Sequence, residues 1–199
     1  MRYPDGYLGW NALETPAAKP PAKPQRLDVG AYFPACRLML LSYTRDRKYL
    51  GIRHTDRSFA LAEIPSDYLF VELFNEYCFA CIDEVPVYKS FFARLKKDDS
   101  LSDQVKMLGI AMGSPKRQVA LFRKTHGIDF PLFADEKRAL FECLGRPTLP
   151  VAYLLKRQPD GRHLIVMVQA GHVADLDRLR KRVLAVIHKT TKGATGPAL

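Results

Sequence analysis

Cys78 and Cys81 are separated by two residues in the stretch YLFVELFNEYCFACIDEVPVYKSFF, which runs from Tyr68 to Phe92. Thiols at this spacing can cycle between dithiol and disulfide, can supply half of a metal site, or can simply be neighbours in a core. A zinc site needs two further ligands. Cys36 and Cys143 are isolated, and the five histidines form no cluster of metal-site spacing, so no metal and no other cofactor is expected.

Position separates the remaining two readings. YLFVELF is a continuous apolar run of the kind buried on both faces of a mixed sheet. After it, Cys81, Val85, Tyr88, Phe92 and Leu95 recur at steps of four, three, four and three. That pattern places Cys81 on the buried face of a helix and Cys78 at its first turn. A helix N-terminus offers free N–H groups and a partial positive charge, which favour thiolate over thiol. A Cys-x-x-Cys so placed can titrate between about 3.5 and 7.5. In this reading Cys78 exchanges with a disulfide and Cys81 resolves the mixed disulfide. A strand-to-helix junction is a poor place to bury two inert thiols.

The rest of the chain must hold this junction. RLMLLSY and KYLGIRH read as two short strands, possible partners in a hairpin around TRDR, and SFALAEI as a helical turn. QVKMLGIAM is a second buried strand. Ser114 and Pro115 are expected to cap the next helix, Val119, Phe122 and His126 share its inner face, and Gly127 ends it. A short helix around DEKRALFECLG precedes strands VAYLLKR and HLIVMVQAG, joined by the turn QPDG. Leu176, Leu179, Val183, Leu184 and Ile187 then repeat at helical spacing. The expected order is β-hairpin, β, α, β, α, α, β, β, α.

With 199 residues, 47% of them hydrophobic, the chain can build one domain with a sizeable core. Residues 1–26, which include TPAAKPPAKPQ, read as a disordered tether, residues 27–191 as the domain, and 192–199 as a disordered tail. No apolar run approaches the roughly 18–20 residues of a membrane span, and MRYPDGYLGWNALE lacks a stretch of signal-peptide type. The formal net charge of +10 invites a nucleic-acid reading, but the basic residues are scattered from Arg45 to Lys192 without a recognition signature. The charge is read as solubility with weak attraction to anionic surfaces.

At Cys78, Cys81, Glu84 and Pro86 the sequence resembles the thioredoxin superfamily, in particular its TlpA-like and AhpC/TSA redoxin branch, which reads roughly Cys-x-x-Cys-x-x-Glu-x-Pro. The resemblance spans about Leu27 to Ile187, with RLDVGAYFPACRL similar to the branch's opening. It implies a thioredoxin-like α/β fold, a central mixed β-sheet flanked by helices, with an added N-terminal β-hairpin. It further implies a cis-proline loop facing the pair. Pro150, preceded by Leu149 in PTLPVAYLL, fits that place best, and Pro147 is the runner-up. Tyr77 stands where the superfamily has Trp, Phe79 and Ala80 fill the interior of the motif, and these three with Leu149 and Pro150 are the expected substrate-binding residues. Glu72 occupies the place of a buried proton-relaying acid, and Glu84 that of the branch's acid beyond the second Cys, each with a solvent-facing alternative. Cys36 and Cys143 are expected to be spectators.

The resemblance implies a thiol–disulfide oxidoreductase acting on protein thiols and disulfides with an upstream redox partner. With the tether it implies a periplasmic place outside the cytoplasm, a cytoplasmic one being the alternative, and the chain is read as a monomer. The Phe-Ala interior leaves the direction of electron flow open. A peroxiredoxin would carry Pro and Thr where Val71 and Asn75 stand, so a thiol peroxidase is the enzyme alternative. A redox-inactive interaction module is the other.

Overall fold

The computed structural model describes residues 27–99 and 101–192. The expected tether lies outside the described residues, as does the tail beyond residue 192. The apolar run forms strand β3 (Tyr68–Phe74), every residue of which is buried. On its flanks β3 pairs in parallel with β4 (Val105–Met112) and antiparallel with β6 (Val151–Arg157). β5 (Leu132–Asp135) extends the sheet beyond β4, and β7 (His163–Ala170) beyond β6, giving the order β5-β4-β3-β6-β7. This is the mixed sheet expected of a thioredoxin-like fold.

Alternation along β3 divides the core into two layers. Tyr68, Phe70 and Phe74 face helix α2 (Phe79–Lys97) and helix α5 (Leu176–Lys192), where Val85, Tyr88, Phe91, Leu179, Val183 and Ile187 complete one cluster. Leu69, Val71 and Leu73 face the opposite way, towards Phe33, Leu50, Phe59 and Leu140. Glu72 shares the register parity of Phe70 and Phe74, so its carboxyl lies on the α2 side. Helix α3 (Lys116–Thr125) closes the end of that layer, with Phe122 stacked on Phe74 at 5.3 Å between ring centroids.

The N-terminal strand pair is present but differs from the expected hairpin. β1 (Arg37–Met39) pairs with β2 (Ser58–Ala60), a 3-10 turn follows at Leu61–Glu63, and the intervening Tyr43–Leu50 is helix α1. TRDR therefore lies within a helix, and KYLGIRH is no strand. The cause is tertiary. Asp46 of α1 is buried and accepts two hydrogen bonds, of 2.6 and 2.7 Å, from the Arg123 guanidinium of α3. Gly51 ends α1 at φ 72°, a left-handed position that suits glycine.

The start of α3 also differs from expectation. Pro115 is the N-cap, and Ser114 Oγ donates to Glu76 rather than capping the helix. Glu136 Oε1 accepts the Lys116 N–H instead, at 2.8 Å. The short helix α4 (Ala139–Cys143) falls within the expected DEKRALFECLG segment.

Candidate active site at the β3–α2 junction

Residues 75–77 carry the chain from β3 into α2 through side chains that hold the backbone. Asn75 donates to the Met112 carbonyl at 2.9 Å, and its side-chain oxygen accepts the Tyr77 N–H at 2.9 Å. The Cys78 N–H donates to the Asn75 carbonyl at 3.0 Å. Cys78 then becomes the N-cap of α2. Its Sγ accepts the Cys81 N–H at 3.3 Å, the place a Ser or Asp oxygen usually takes. Any negative charge on this sulfur would be met by an oriented donor and by the positive end of the helix.

Cys78 and Cys81 are joined in a disulfide, with their Cα atoms 5.2 Å apart. The two sulfurs differ in setting. Cys78 is partly exposed, whereas Cys81 is 1% exposed and packs with Val85 and Tyr88. Around them, Phe79 is 85% exposed and Tyr77 70% exposed, with the Tyr77 hydroxyl donating to Gln118 of α3 at 3.1 Å. Ala80 is exposed beside Phe79.

The strand register brings a second loop to this end of the sheet. Leu73 of β3 is opposite Val151 of β6, so Leu149 and Pro150 lie just beyond the end of β3, where the chain turns towards Cys78. Among the described residues, Leu149–Pro150 is the cis peptide bond. The Pro150 carbonyl accepts the Gly171 N–H at 3.0 Å, which ties this loop to the one that follows β7. Pro147 sits farther back in the α4–β6 connection.

Beneath the cysteines lie the two acids. Glu84 is fully buried; its Oε1 accepts the Val173 N–H, and its Oε2 has no hydrogen-bond partner. Burial pushes its carboxyl up to about 7, against the opposing pull of the Val173 N–H and His172. Glu72 is also buried, and burial holds its carboxyl well above the usual range, reinforced by the charge of Glu84. Tyr88, in the same layer, is raised by burial and then by both carboxylates. Neither acid takes its solvent-facing alternative.

Cys36 and Cys143 lie away from this junction. Both are partly buried free thiols, and Cys36 is pushed up to about 12 by burial, with smaller contributions from Asp135 and Cys143. Among the described residues, no group of three or more His, Cys, Asp or Glu is placed to hold a metal, and no helix is long and apolar enough to cross a membrane.

The sequence names Asn75 only as a departure from the peroxiredoxin pattern and Ser114 only as a helix cap, and it singles out neither His172 nor Val173. Asn75 had one available signal, since an amide before a helix start commonly bonds nearby backbone. Val173 had none: its partner Glu84 is 89 residues away, and its contribution is a backbone N–H.

Comparison with known proteins agrees with this architecture. The chain is 24% identical over 115 residues to the thiol-disulfide oxidoreductase ResA of Bacillus subtilis (strain 168), an alignment covering 58% of this chain and 59% of that relative's length. It is 22% identical over 159 residues to the protein of the same name from Geobacillus thermodenitrificans (strain NG80-2), covering 72% of this chain and 88% of the relative. Among solved structures, a putative thiol:disulfide interchange protein DsbE from Chlorobium tepidum aligns with a TM-score of 0.60 at 16% identity, covering 80% of this chain and 98% of that one. Mycobacterium tuberculosis AhpC aligns with a TM-score of 0.58 at 20% identity, covering 82% and 99%. At these identities the solved structures share the fold. The sequence profile of the AhpC/TSA family matches residues 45–174, about two thirds of the chain, and the protein belongs to that family.

Proposed function

We propose that this protein is a thiol–disulfide oxidoreductase in which Cys78 is the nucleophile and Cys81 the resolving thiol. The observation that carries the reading is Cys78 at the N-cap of α2, its sulfur facing the Cys81 N–H, with the Leu149–Pro150 loop at the same end of the sheet. Cys78 thiolate attacks one sulfur of a substrate disulfide, and the other substrate sulfur leaves as thiolate. Cys81 then attacks Cys78 Sγ, expels the second substrate sulfur and closes the Cys78–Cys81 disulfide. The substrate gains two electrons and the enzyme loses two; with an oxidised enzyme the same steps run in reverse.

The partly exposed Cys78 suits the bimolecular attack, and the buried Cys81 suits the intramolecular one. Tyr77, Phe79 and Ala80 supply an exposed, largely apolar wall for a substrate protein, and the Leu149 and Pro150 backbone offers an edge for an extended segment. Glu84 lies on the proton route of Cys81, since its thiol must lose a proton before it attacks, with Glu72 buried beside it in the same layer. The substrates on this reading are protein disulfides and thiols, with a separate redox partner regenerating the monomeric enzyme outside the cytoplasm.

A peroxidase is less well supported. Val71 points into the opposite core layer, and the Asn75 side chain is engaged with Met112 and Tyr77. Trapping tests the proposal. Cys81→Ser should accumulate a mixed disulfide through Cys78 with a disulfide-bearing substrate, and Cys78→Ser should trap almost none. Equal trapping by both variants would overturn the assignment, and trapping by neither would favour the redox-inactive module.

A further inference from the structure

We propose that His172 is the proton outlet of buried Glu84, carrying the proton that Cys81 gives up during resolution to solvent. The inference rests on the thiol–disulfide reading above and adds a residue to it.

A buried carboxylate can accept a proton only once unless something removes it. Glu84 exposes none of its side chain. The other titratable groups in its layer, Glu72 on β3 and Tyr88 on α2, are buried themselves and reach no solvent, and burial favours their protonated forms. On α5, Asp177 pairs with Arg94, and Asp175 accepts the N–H groups of Asp177 and Arg178 at the helix start. His172 is different. Its side chain is 46% exposed, and its Nδ1 lies 3.8 Å from Glu84 Oε1.

That separation is too long for a hydrogen bond, but a small ring rotation or one bridging water would close it. The loop keeps the imidazole within this range. Gly171 is anchored to the Pro150 carbonyl and Val173 to Glu84, with His172 between the two anchors. On its outer side, a cleft of about 260 Å³ lined by His172, Val173, Gln169, Asp175, Arg178 and Arg182 brings water to the ring. An imidazole has two ring nitrogens, so it can take up a proton on the Glu84 side and release one on the solvent side.

The step balances. The Cys81 thiol gives its proton to the Glu84 carboxylate, and the resulting thiolate attacks Cys78 Sγ. The bond from Cys78 to the substrate sulfur breaks, and the substrate leaves as thiolate. Glu84 passes its proton to His172, which releases it to water. The sum is one mixed disulfide and one thiol converted to one internal disulfide, one substrate thiolate and one proton.

Stopped-flow reaction of the reduced protein with 5,5′-dithiobis(2-nitrobenzoate) separates the stages. The first thionitrobenzoate released reports attack by Cys78 and depends on reagent concentration. The second reports resolution by Cys81 and does not. His172→Gln should leave the first phase unchanged and slow the second by about tenfold or more near neutrality. Added imidazole should restore the lost rate, and in a Glu84→Gln background the His172 substitution should add nothing. An unchanged second phase, a defect that imidazole does not rescue in a variant of unchanged melting temperature, or an additive defect in the double variant would overturn the proposal. Absence of a second phase in the unsubstituted protein would instead overturn the two-cysteine reading on which it stands.

Discussion

Glu72 and Glu84 enter the same apolar layer from different elements, one from the centre of β3 and the other from the second turn of α2. The charge on Glu84 is felt at Glu72, whose proton is already held by burial. Two carboxyl groups so placed cannot both ionise cheaply, because each lacks water and each repels the other. Burial therefore holds Glu72 well above the ordinary carboxylate range, while Glu84 is raised from an ordinary value of 4.5 to about 7, where it changes charge near neutrality.

The first prediction concerns the thiols above this layer. Above about pH 7 Glu84 carries a negative charge one helical turn beyond Cys81, which disfavours thiolate and favours the uncharged disulfide. The N-terminus of α2 acts in the opposite sense on Cys78, by about 0.3–1 kcal/mol and up to roughly 2 kcal/mol when partly buried. Glu84→Gln keeps the shape and removes the charge. It should lower the Cys81 thiol by about a unit, roughly 1.4 kcal/mol, and make the couple more oxidising. The difference should fade below pH 7, where the wild-type carboxyl is itself neutral. Thiolate absorbance titrations of both proteins, with equilibration against glutathione, measure this; superimposable curves would remove Glu84 from the redox chemistry.

How far the sequence anticipates the structure depends on how local each signal is. β3 is legible because seven consecutive buried residues need no knowledge of their partners, and α2 because five apolar positions recur at helical steps. α1 is illegible for the opposite reason. YTRDRKYL has a polar centre, and the contact that buries Asp46 comes from Arg123, 77 residues later. β5 has only four residues, too few to show a period, and becomes a strand by pairing with β4. In the site, the cysteines, both acids and the two loop residues could be named from spacing and resemblance. His172 could not, since nothing local reveals which helix the loop after β7 will meet.

The buried pair that holds α1 to α3 yields a second prediction. Asp46→Ala leaves the Arg123 guanidinium without its carboxylate, and breaking a buried pair typically costs about 3–5 kcal/mol. The loss should fall near the lower end, because Arg123 also donates to the Ile128 carbonyl at 3.2 Å and the Asp129 carbonyl at 3.3 Å. Asp46→Leu combined with Arg123→Met should recover much of it by removing both charges together. Urea unfolding of the three variants decides. A loss below about 0.5 kcal/mol in Asp46→Ala, the range typical of neutral surface changes, would show that the pair does not hold the helices.

The last prediction concerns acid. His163, at the start of β7, is buried; its Nε2 has no hydrogen-bond partner, and burial, helped by nearby Arg157, lowers it from 6.5 to about 4. The native ring therefore stays neutral at pH values where the unfolded chain has already taken up a proton. The unfolded state binds more protons between about pH 6.5 and 4, so stability is lost as pH falls through that window, by about 3 kcal/mol in total. Glu84 acts in the opposite direction. Its native carboxyl holds a proton up to about pH 7, while the unfolded one releases it near 4.5, so stability is gained as pH falls between those values. Because the two slopes overlap and largely cancel, the wild-type profile hides both, and the informative quantity is the difference between variant and wild type. His163→Phe keeps a ring of similar shape without a titrating group. Its stability relative to wild type should be constant above about pH 6.5 and improve by about 3 kcal/mol as pH is lowered to 4. Glu84→Gln should show the reverse trend, losing ground to wild type from about pH 7 down to 4.5. Urea melts at half-unit pH intervals measure both curves. A His163→Phe difference that stays flat from pH 8 to 4 would mean that the native ring takes up its proton at the same pH as the unfolded one and that burial at β7 does not govern its charge.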